Sequence, residues 1–352
     1  MNAFTQFLYN ILAWFNGLVG NYGVAIMMLT ILIRMICMPF DYKSRKNMRK
    51  MTALQPKINE LQKKYANDPA KLQKKQAELM RQEGASTLAG CLPMLLTYPL
   101  LLAMFGAMRA IANEQLALQA FKYLAGDQNV ITAADRFLWV KNIWMSDSPF
   151  TPIAPIGAQL NVITADVWSR AFGLLSEGQQ ANVLQSIAAV TEQALDFTTT
   201  EAASASVASI IEALGQIPAY SAAIATVSGW SNVNLFLGFI SITVYQQFNG
   251  FLILPILAGA VQMLQYKFNP QMTEQQQAQA NNPQGAGMGK FMQYFFPILF
   301  VVFCLSSNAG FAVYWVTSSL VMWGQSIIIT NILKKQDEKK AQSLIGEGSN
   351  NE

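Results

Sequence analysis

The feature that most constrains this chain is a nineteen-residue run, residues 22–40, whose only polar side chains in an apolar background are Thr30 and Arg34. About 20 residues cross the hydrocarbon core of a bilayer as a helix, so the run predicts a transmembrane helix. Residues 89–111, 251–268, 291–305 and 311–333 are further apolar runs of the same kind. Between the last two lies SSNAG, residues 306–310, a cluster of turn formers that predicts a tight hairpin. The expected fold class is therefore all-α, a polytopic membrane protein with five transmembrane helices.

Charge placement orients the spans. Residues 41–83 hold twelve Lys and Arg against five acids, a net of +7, whereas residues 110–250 hold four against ten, a net of −6. Lys and Arg beside span ends stay on the cytoplasmic side. The basic segment is thus predicted inside and the acidic one outside, as one intervening span requires. By alternation the amino end is outside and the carboxyl end cytoplasmic, the topology of a multi-pass protein of a bacterial plasma membrane.

This divides the chain as follows. Residues 1–20 carry Phe4, Phe7, Leu8, Ile11, Leu12, Phe15 and Leu18 at helical spacing with no charged side chain; they predict an amphipathic helix lying in the outer interface rather than a secretory signal, whose basic start they lack. Residues 21–40 are the first span. Residues 41–88 predict a basic cytoplasmic hairpin: Met51, Leu54, Ile58, Leu61 and Tyr65 make a coiled-coil seam. Asp68 and Pro69 then start a second helix as N-cap and first residue. Residues 89–112 are the second span. Residues 113–250 form an extracytoplasmic segment with a helical insertion at about 150–230, expected to be dispensable. Residues 251–268 are the third span, 269–290 a Gln-, Asn- and Gly-rich flexible cytoplasmic loop, and 291–333 the fourth and fifth spans. The tail, residues 334–352, reads as disordered.

Several function classes fall away. Histidine is absent, which removes the usual general base and the commonest metal ligand; Ser-His-Asp and Cys-His nucleophile systems and zinc HExxH sites go with it. Cys37, Cys91 and Cys304 stand far apart in apolar runs and read as inert thiols rather than as a metal or disulfide framework. Only 12% of residues are charged, about half the ~25% of a soluble domain. No enzyme chemistry, cofactor or metal is expected.

Arg34 is the sharpest candidate for function. It lies six residues from the end of its span at Phe40, roughly 9 Å along a helix. A central Arg costs at least ~2.5–3.5 kcal/mol in a bilayer and ordinarily faces protein or water, although at this depth it can also snorkel to the inner headgroups. Other spans offer Thr97 and Tyr98, Gln262 and Gln265, and Tyr314, Trp315, Thr317, Ser318, Ser319 and Gln325. Gln262 and Gln265 share one helical face, as do Tyr314, Thr317 and Ser318. No other span holds an acid to pair with Arg34. Helix-to-helix hydrogen bonding would account for the polar residues singly; with an Arg that has no such partner they predict a hydrated pocket open to the cytoplasm. Met27, Met28, Met35, Met38, Met94, Met104 and Met108 crowd the first two spans, a composition suited to adaptable apolar contacts.

GCLPMLLTYPLLLAMF (90–105), FLWVKNIW (137–144), LPILAGAVQMLQYKFNP (254–270) and MQYFFPILFVVFCLSSNAGFAVYWVTSSL (292–320) resemble, in this order, the YidC/Oxa/Alb family of membrane protein insertases. The chain is most similar to its Gram-positive-like bacterial type, without a large periplasmic domain. The resemblance implies five spans around a hydrophilic groove that is open to cytoplasm and lipid, with the family's intramembrane Arg falling on Arg34. It implies nascent membrane proteins as substrates, membrane lipids as surroundings, the Sec translocon and ribosome as partners, and no nucleic-acid specificity. Thr97-Tyr98-Pro99 departs from the family, which usually has Gln before this Pro. The alternative class is a small-solute transporter or channel, which would favour paired inverted repeats with interrupted spans; none is visible.

Overall fold

The computed structural model describes residues 3–84, 87–231, 233–235, 240–268 and 283–348. Long helices carry most of it: α1 (Ala3–Val19), α2 (Tyr22–Lys64), α3 (Pro69–Gln82) and α4 (Thr87–Leu124) open the chain. Five shorter helices follow, α5 (Gly157–Leu160), α6 (Ala165–Gly173), α7 (Glu177–Ala188), α8 (Thr200–Gly215) and α9 (Pro218–Ala223). A small antiparallel ladder comes next, β1 (Val233–Leu235) on β2 (Ile240–Ile242), with Val233 opposite Ile242. Then come α10 (Ile253–Phe268), α11 (Pro283–Ser306) and α12 (Ala309–Gly348). Two compact units are built from these pieces. The first is Met1–Leu29, Leu102–Ala258 and Phe300–Trp315; the second is Thr30–Leu101, Gly259–Leu299 and Val316–Glu352.

Boundaries differ from the sequence reading where helix formers outvote local breakers. α2 continues past Phe40 and through Pro39 and Pro56 into the basic segment. α4 continues past Ile111 to Leu124, because residues 112–124 are good helix formers and bury Leu116, Ala120 and Phe121. The loop expected over 269–290 lies outside the described residues as far as 282, and residues 283–290 are already helical, with Pro283 at the start of α11. The tail is helical to Gly348 rather than disordered. Its Lys, Gln, Glu and Ala favour helix, and Tyr42 Oη donates to Gln336 Oε1 at 2.9 Å while Arg49 meets Asp337 at 3.4 Å.

In the second unit α2 and α3 pack together through part of the seam read in the sequence. Asp68 Oδ1 accepts the Lys71 N–H at 3.0 Å and Pro69 opens α3. Leu54 and Ile58 are buried against Met51, Leu79 and Met80, and Lys57 Nζ sits 2.7 Å from Glu83. The cluster is small and the rest of the hairpin surface is charged.

The first unit has a dense core that includes Leu8, Leu12, Met104, Phe121, Ile143 and Trp168. The apolar stripe of α1 is divided: Leu8, Leu12 and Phe15 are buried in the unit, while Phe4, Phe7 and Leu18 are exposed. α1 is tied to α4 by Tyr9 Oη, which donates to Glu114 Oε1 at 2.6 Å. Burial and then the Glu114 carboxylate hold the Tyr9 phenol well above its ordinary pKa. Arg170 of α6 reaches the other oxygen of Glu114 at 3.4 Å. The insertion packs on the extended end of α4. Phe121 meets Trp168 and Phe172 edge to face at 5.2 and 5.4 Å, and Ser186 Oγ donates to Leu124 O at 2.8 Å. Its helices therefore share a core with α4.

A polar knot closes this unit. Asp147 is fully buried and accepts from the Trp139 indole at 3.1 Å and from the Phe251 and Leu254 N–H groups at 2.8 and 2.7 Å. It thereby caps the start of α10, where unsatisfied N–H groups favour a carboxylate. Asn249, also fully buried, donates to the carbonyls of Asn142 and Ser146, and accepts the Asn142 N–H at 2.7 Å. The first residues of α12 join the same region: Ala309 N–H and Gly310 N–H each donate at 2.9 Å, to Met145 O and Ile143 O.

Gly250 has no room for a side chain here. A Cβ would stand 1.9 Å from Asp147 Oδ1 and 3.1 Å from Asp147 Cα, and the carboxylate cannot swing away without dropping its N–H partners. Gly250→Ala is expected to cost ~1–3 kcal/mol as overpacking does, read as a lowered thermal midpoint of the detergent-solubilised protein. An unchanged midpoint would show that the knot is pliable.

Candidate functional site

Within the second unit α2 and α12 are joined by a ladder of polar contacts. Arg34 Nε and Nη2 donate to Ser318 Oγ at 2.9 and 2.5 Å. Gln325 Nε2 donates to the Arg34 carbonyl at 2.9 Å, and Arg45 Nη1 to Ser326 Oγ at 2.5 Å. Further along, Tyr42 meets Gln336 and Arg49 meets Asp337. From the Arg34–Ser318 pair to the Arg49–Asp337 pair the residue numbers rise on both helices, so α2 and α12 run parallel here. Gln265 of α10 joins the same seam, its side-chain amide donating to the Ser319 carbonyl.

Burial makes these bonds matter. Ser318, Ser319, Gln325 and Ser326 are buried, Gln265 too, while Arg34 is half-buried. The side-chain oxygen atoms Ser44 Oγ and Gln325 Oε1 are buried without a hydrogen-bond partner among the described residues. Such atoms are costly in a dry interior, so the seam suits water.

Of the residues singled out by sequence, Arg34, Ser318, Ser319, Gln325 and Gln265 belong to this ladder, and Thr317 is buried beside Ser318 on α12. Gln262 lies one turn before Gln265 and is half-buried. Tyr314 and Trp315 lie one turn before Ser318 on α12 but in the first unit, where Trp315 stacks on Phe300 at 3.9 Å and Tyr314 is buried. Thr97 and Tyr98 lie on α4, and their side chains lie outside the described residues. Cys37 is half-buried and Cys304 buried, both as free thiols.

Asp41 and Arg45 were not singled out in the sequence. Asp41 is half-buried on α2, two turns after Arg34, and its charge acts on both Arg34 and Arg45. The carboxylate whose charge acts on Arg34 thus comes from its own helix, which a search of the other spans could not find. The signal was present in spacing: 34, 41 and 45 step by seven and four, a single helical face, hidden by ending the span at Phe40. The cluster holds two guanidiniums against one carboxylate and stays net positive.

Outside the seam the same helices expose large apolar side chains. Met35, Ile36 and Phe40 of α2, Met263 and Phe268 of α10, Tyr294 and Ile298 of α11 and Ile328 of α12 are each at least 44% exposed. Patches of this extent mark a surface whose natural solvent is not water. α2, and Ala309–Lys339 of α12, are long and apolar enough to cross a bilayer.

Exposed apolar faces and a half-buried guanidinium held by the neutral Ser318 hydroxyl define a helical membrane protein that keeps positive charge among its helices. The chain belongs to the 60Kd inner membrane protein family, the YidC/Oxa/Alb group, whose sequence model matches residues 14–198 and 191–337. It is similar to the membrane protein insertase YidC of Pelodictyon phaeoclathratiforme, 36% identical over 140 residues, 40% of this chain and 21% of the relative. The protein of the same name in Chlorobium limicola is 37% identical over 138 residues, 39% of this chain and 21% of the relative. That of Fusobacterium nucleatum is 31% identical over 183 residues, 52% of this chain and 78% of the relative. The matched region thus spans about a fifth of the length of the first two. The family places the chain in a bacterial inner membrane.

Proposed function

We propose that this chain is a membrane protein insertase and chaperone. It takes nascent membrane proteins into a hydrated, positively charged groove open to the cytoplasm and the inner leaflet, and releases their spans into lipid. The single observation that carries this is Arg34: half-buried within an apolar helix, bonded to the neutral Ser318, and left net positive with Arg45 beside Asp41. A wet groove shortens the apolar distance that a polar tail crosses, and positive charge there offsets part of the cost of an acidic one. Arg34, Gln262, Gln265, Thr317 and Ser318 line the groove in this reading, with Thr97, Tyr98, Tyr314 and Trp315 extending it. No nucleotide or cofactor takes part.

Five spans complete the reading, with the amino end outside, the carboxyl end cytoplasmic, and nascent chains, lipids, the Sec translocon and the ribosome as partners. The parallel course of α2 and α12 supports an odd number of crossings, since the first and last spans then point the same way. The test is insertion of a short single-span substrate into proteoliposomes, with crosslinking from groove positions to that substrate. Flux of a small solute without crosslinking would favour a transporter instead.

The basic hairpin should gather substrates at the membrane surface, since juxtamembrane basic residues contribute ~1 kcal/mol each near anionic lipid. Its own buried cluster is confined to Leu54 and Ile58 with three half-buried neighbours. Deleting residues 51–83, which spares the contacts of Tyr42, Arg45 and Arg49 with α12, is expected to abolish insertion with little change in the melting of the remaining helices. Full activity in the deletion would remove the hairpin from the mechanism.

A further inference from the structure

The first unit contains a cavity of about 390 Å³, within the range that holds a small ligand. None of the groove residues named above lines it. Its floor is apolar: Phe105 of α4, Phe303 of α11 and Phe311 of α12 meet with ring centroids 5.0 to 5.9 Å apart. Its rim is rich in uncommitted donors. Arg109 lines the cavity and is exposed, with no hydrogen bond or ion pair among the described residues. Asn308 spends its side-chain oxygen on the Phe311 N–H and Gln159 spends its own on the Ile156 N–H, and among the described residues neither amide nitrogen has a partner. Among the described residues no Asp or Glu lines the cavity, and Arg109 is the one charged side chain that does. The next residue but four along α4, Glu114, is already engaged by Tyr9 and Arg170.

We propose that this cavity binds an anionic glycerophospholipid, its phosphate on Arg109 and the rim amides and its proximal acyl chain over the three phenylalanines. A guanidinium flanked by amide donors matches the oxygens of a phosphate. A soluble phosphate would leave the aromatic floor unused, whereas an amphiphile covers both parts. The flanks agree: Leu102 and Val302, on the same two helices as Phe105 and Phe303, are 53% and 56% exposed, so an acyl chain leaving the cavity meets apolar surface. The placement rests on the membrane reading above, in which Arg109 and the 306–310 turn fall at the outer end of their spans.

The test is native mass spectrometry of the full chain in detergent, titrated with phosphatidylglycerol. The variants are Arg109→Gln, which removes the charge, and Ala158→Phe, which fills the cavity from an exposed rim position. One tightly held phosphatidylglycerol is expected, with binding about tenfold weaker in each variant, the size of a lost charge-assisted hydrogen bond. Phosphatidylcholine should bind less well, and glycerol phosphate or inorganic phosphate should not displace the lipid. Equal retention by all three proteins overturns the proposal, and so does displacement by either soluble phosphate, which would make this a free-anion site. The assay needs no insertion activity, so failure of the lipid site and failure of the insertase reading are read separately.

Discussion

Arg34→Ala is expected to reduce insertion of substrates with acidic translocated tails by roughly one to two orders of magnitude, the loss of an attraction between unit charges several ångströms apart at an effective dielectric near 20. Arg34→Lys should keep most activity, because an ammonium preserves the charge and can still donate to Ser318. The alanine variant leaves Asp41 facing Arg45 alone, so the cluster changes from net positive to neutral. Neutralising the acids of the substrate tail should therefore shrink the gap between the unmodified protein and the alanine variant. If Arg34 were only a snorkelling anchor, removing it would leave insertion nearly intact. Equal losses for acidic and neutral tails would overturn the attraction mechanism while sparing the insertase assignment. The measurement is proteoliposome insertion with matched substrate pairs.

Asp147→Ala should be the most damaging single change to the fold. The side chain is fully buried and satisfies the Phe251 and Leu254 N–H groups and the Trp139 indole. Alanine strands all three donors, and each buried unsatisfied group costs ~1–3 kcal/mol. Asp147→Asn should be intermediate, since its amide oxygen can serve one side of the knot while its nitrogen opposes a donor on the other. Thermal unfolding in detergent, with protease sensitivity of residues 113–250 as a second readout, checks the order. A midpoint for the alanine variant within a degree of the unmodified protein would mean that the knot does not hold α10 in place.

How much of this was legible in the sequence depends on the range of the interaction. Arg34 and the Gln262–Gln265 spacing could be read because a lone charge or amide pair in an apolar run is anomalous wherever it sits. Asp68-Pro69 and the Leu54–Ile58 seam could be read because caps and heptads are local grammar. Asp147 could not: its partners at Phe251 and Leu254 lie more than a hundred residues away, and an acid in a polar segment looks like solvated surface. Phe121 was unreadable for the same reason, since its partners Trp168 and Phe172 belong to a segment that looked like an add-on. Asp41 and Arg45 were missed through a boundary convention. Hydropathy ends a span where polarity begins, but α2 does not stop there, because a helix already propagating needs only one more hydrogen bond per residue.

The unbroken course of α2 has a mechanical consequence. From Arg34 to Lys64 the helix is a rod ~45 Å long, with its charged seam at one end and the basic hairpin at the other. Pro39 and Pro56 each delete a backbone hydrogen bond along it, and such points are where helices bend. A tilt of about 5° about the seam would swing the far end by about 4 Å over that length. Both proline points lie between the seam and the far end of α2, so a displacement of the hairpin is shared between bending at Pro39 and Pro56 and a tilt at the Arg34–Ser318 contact.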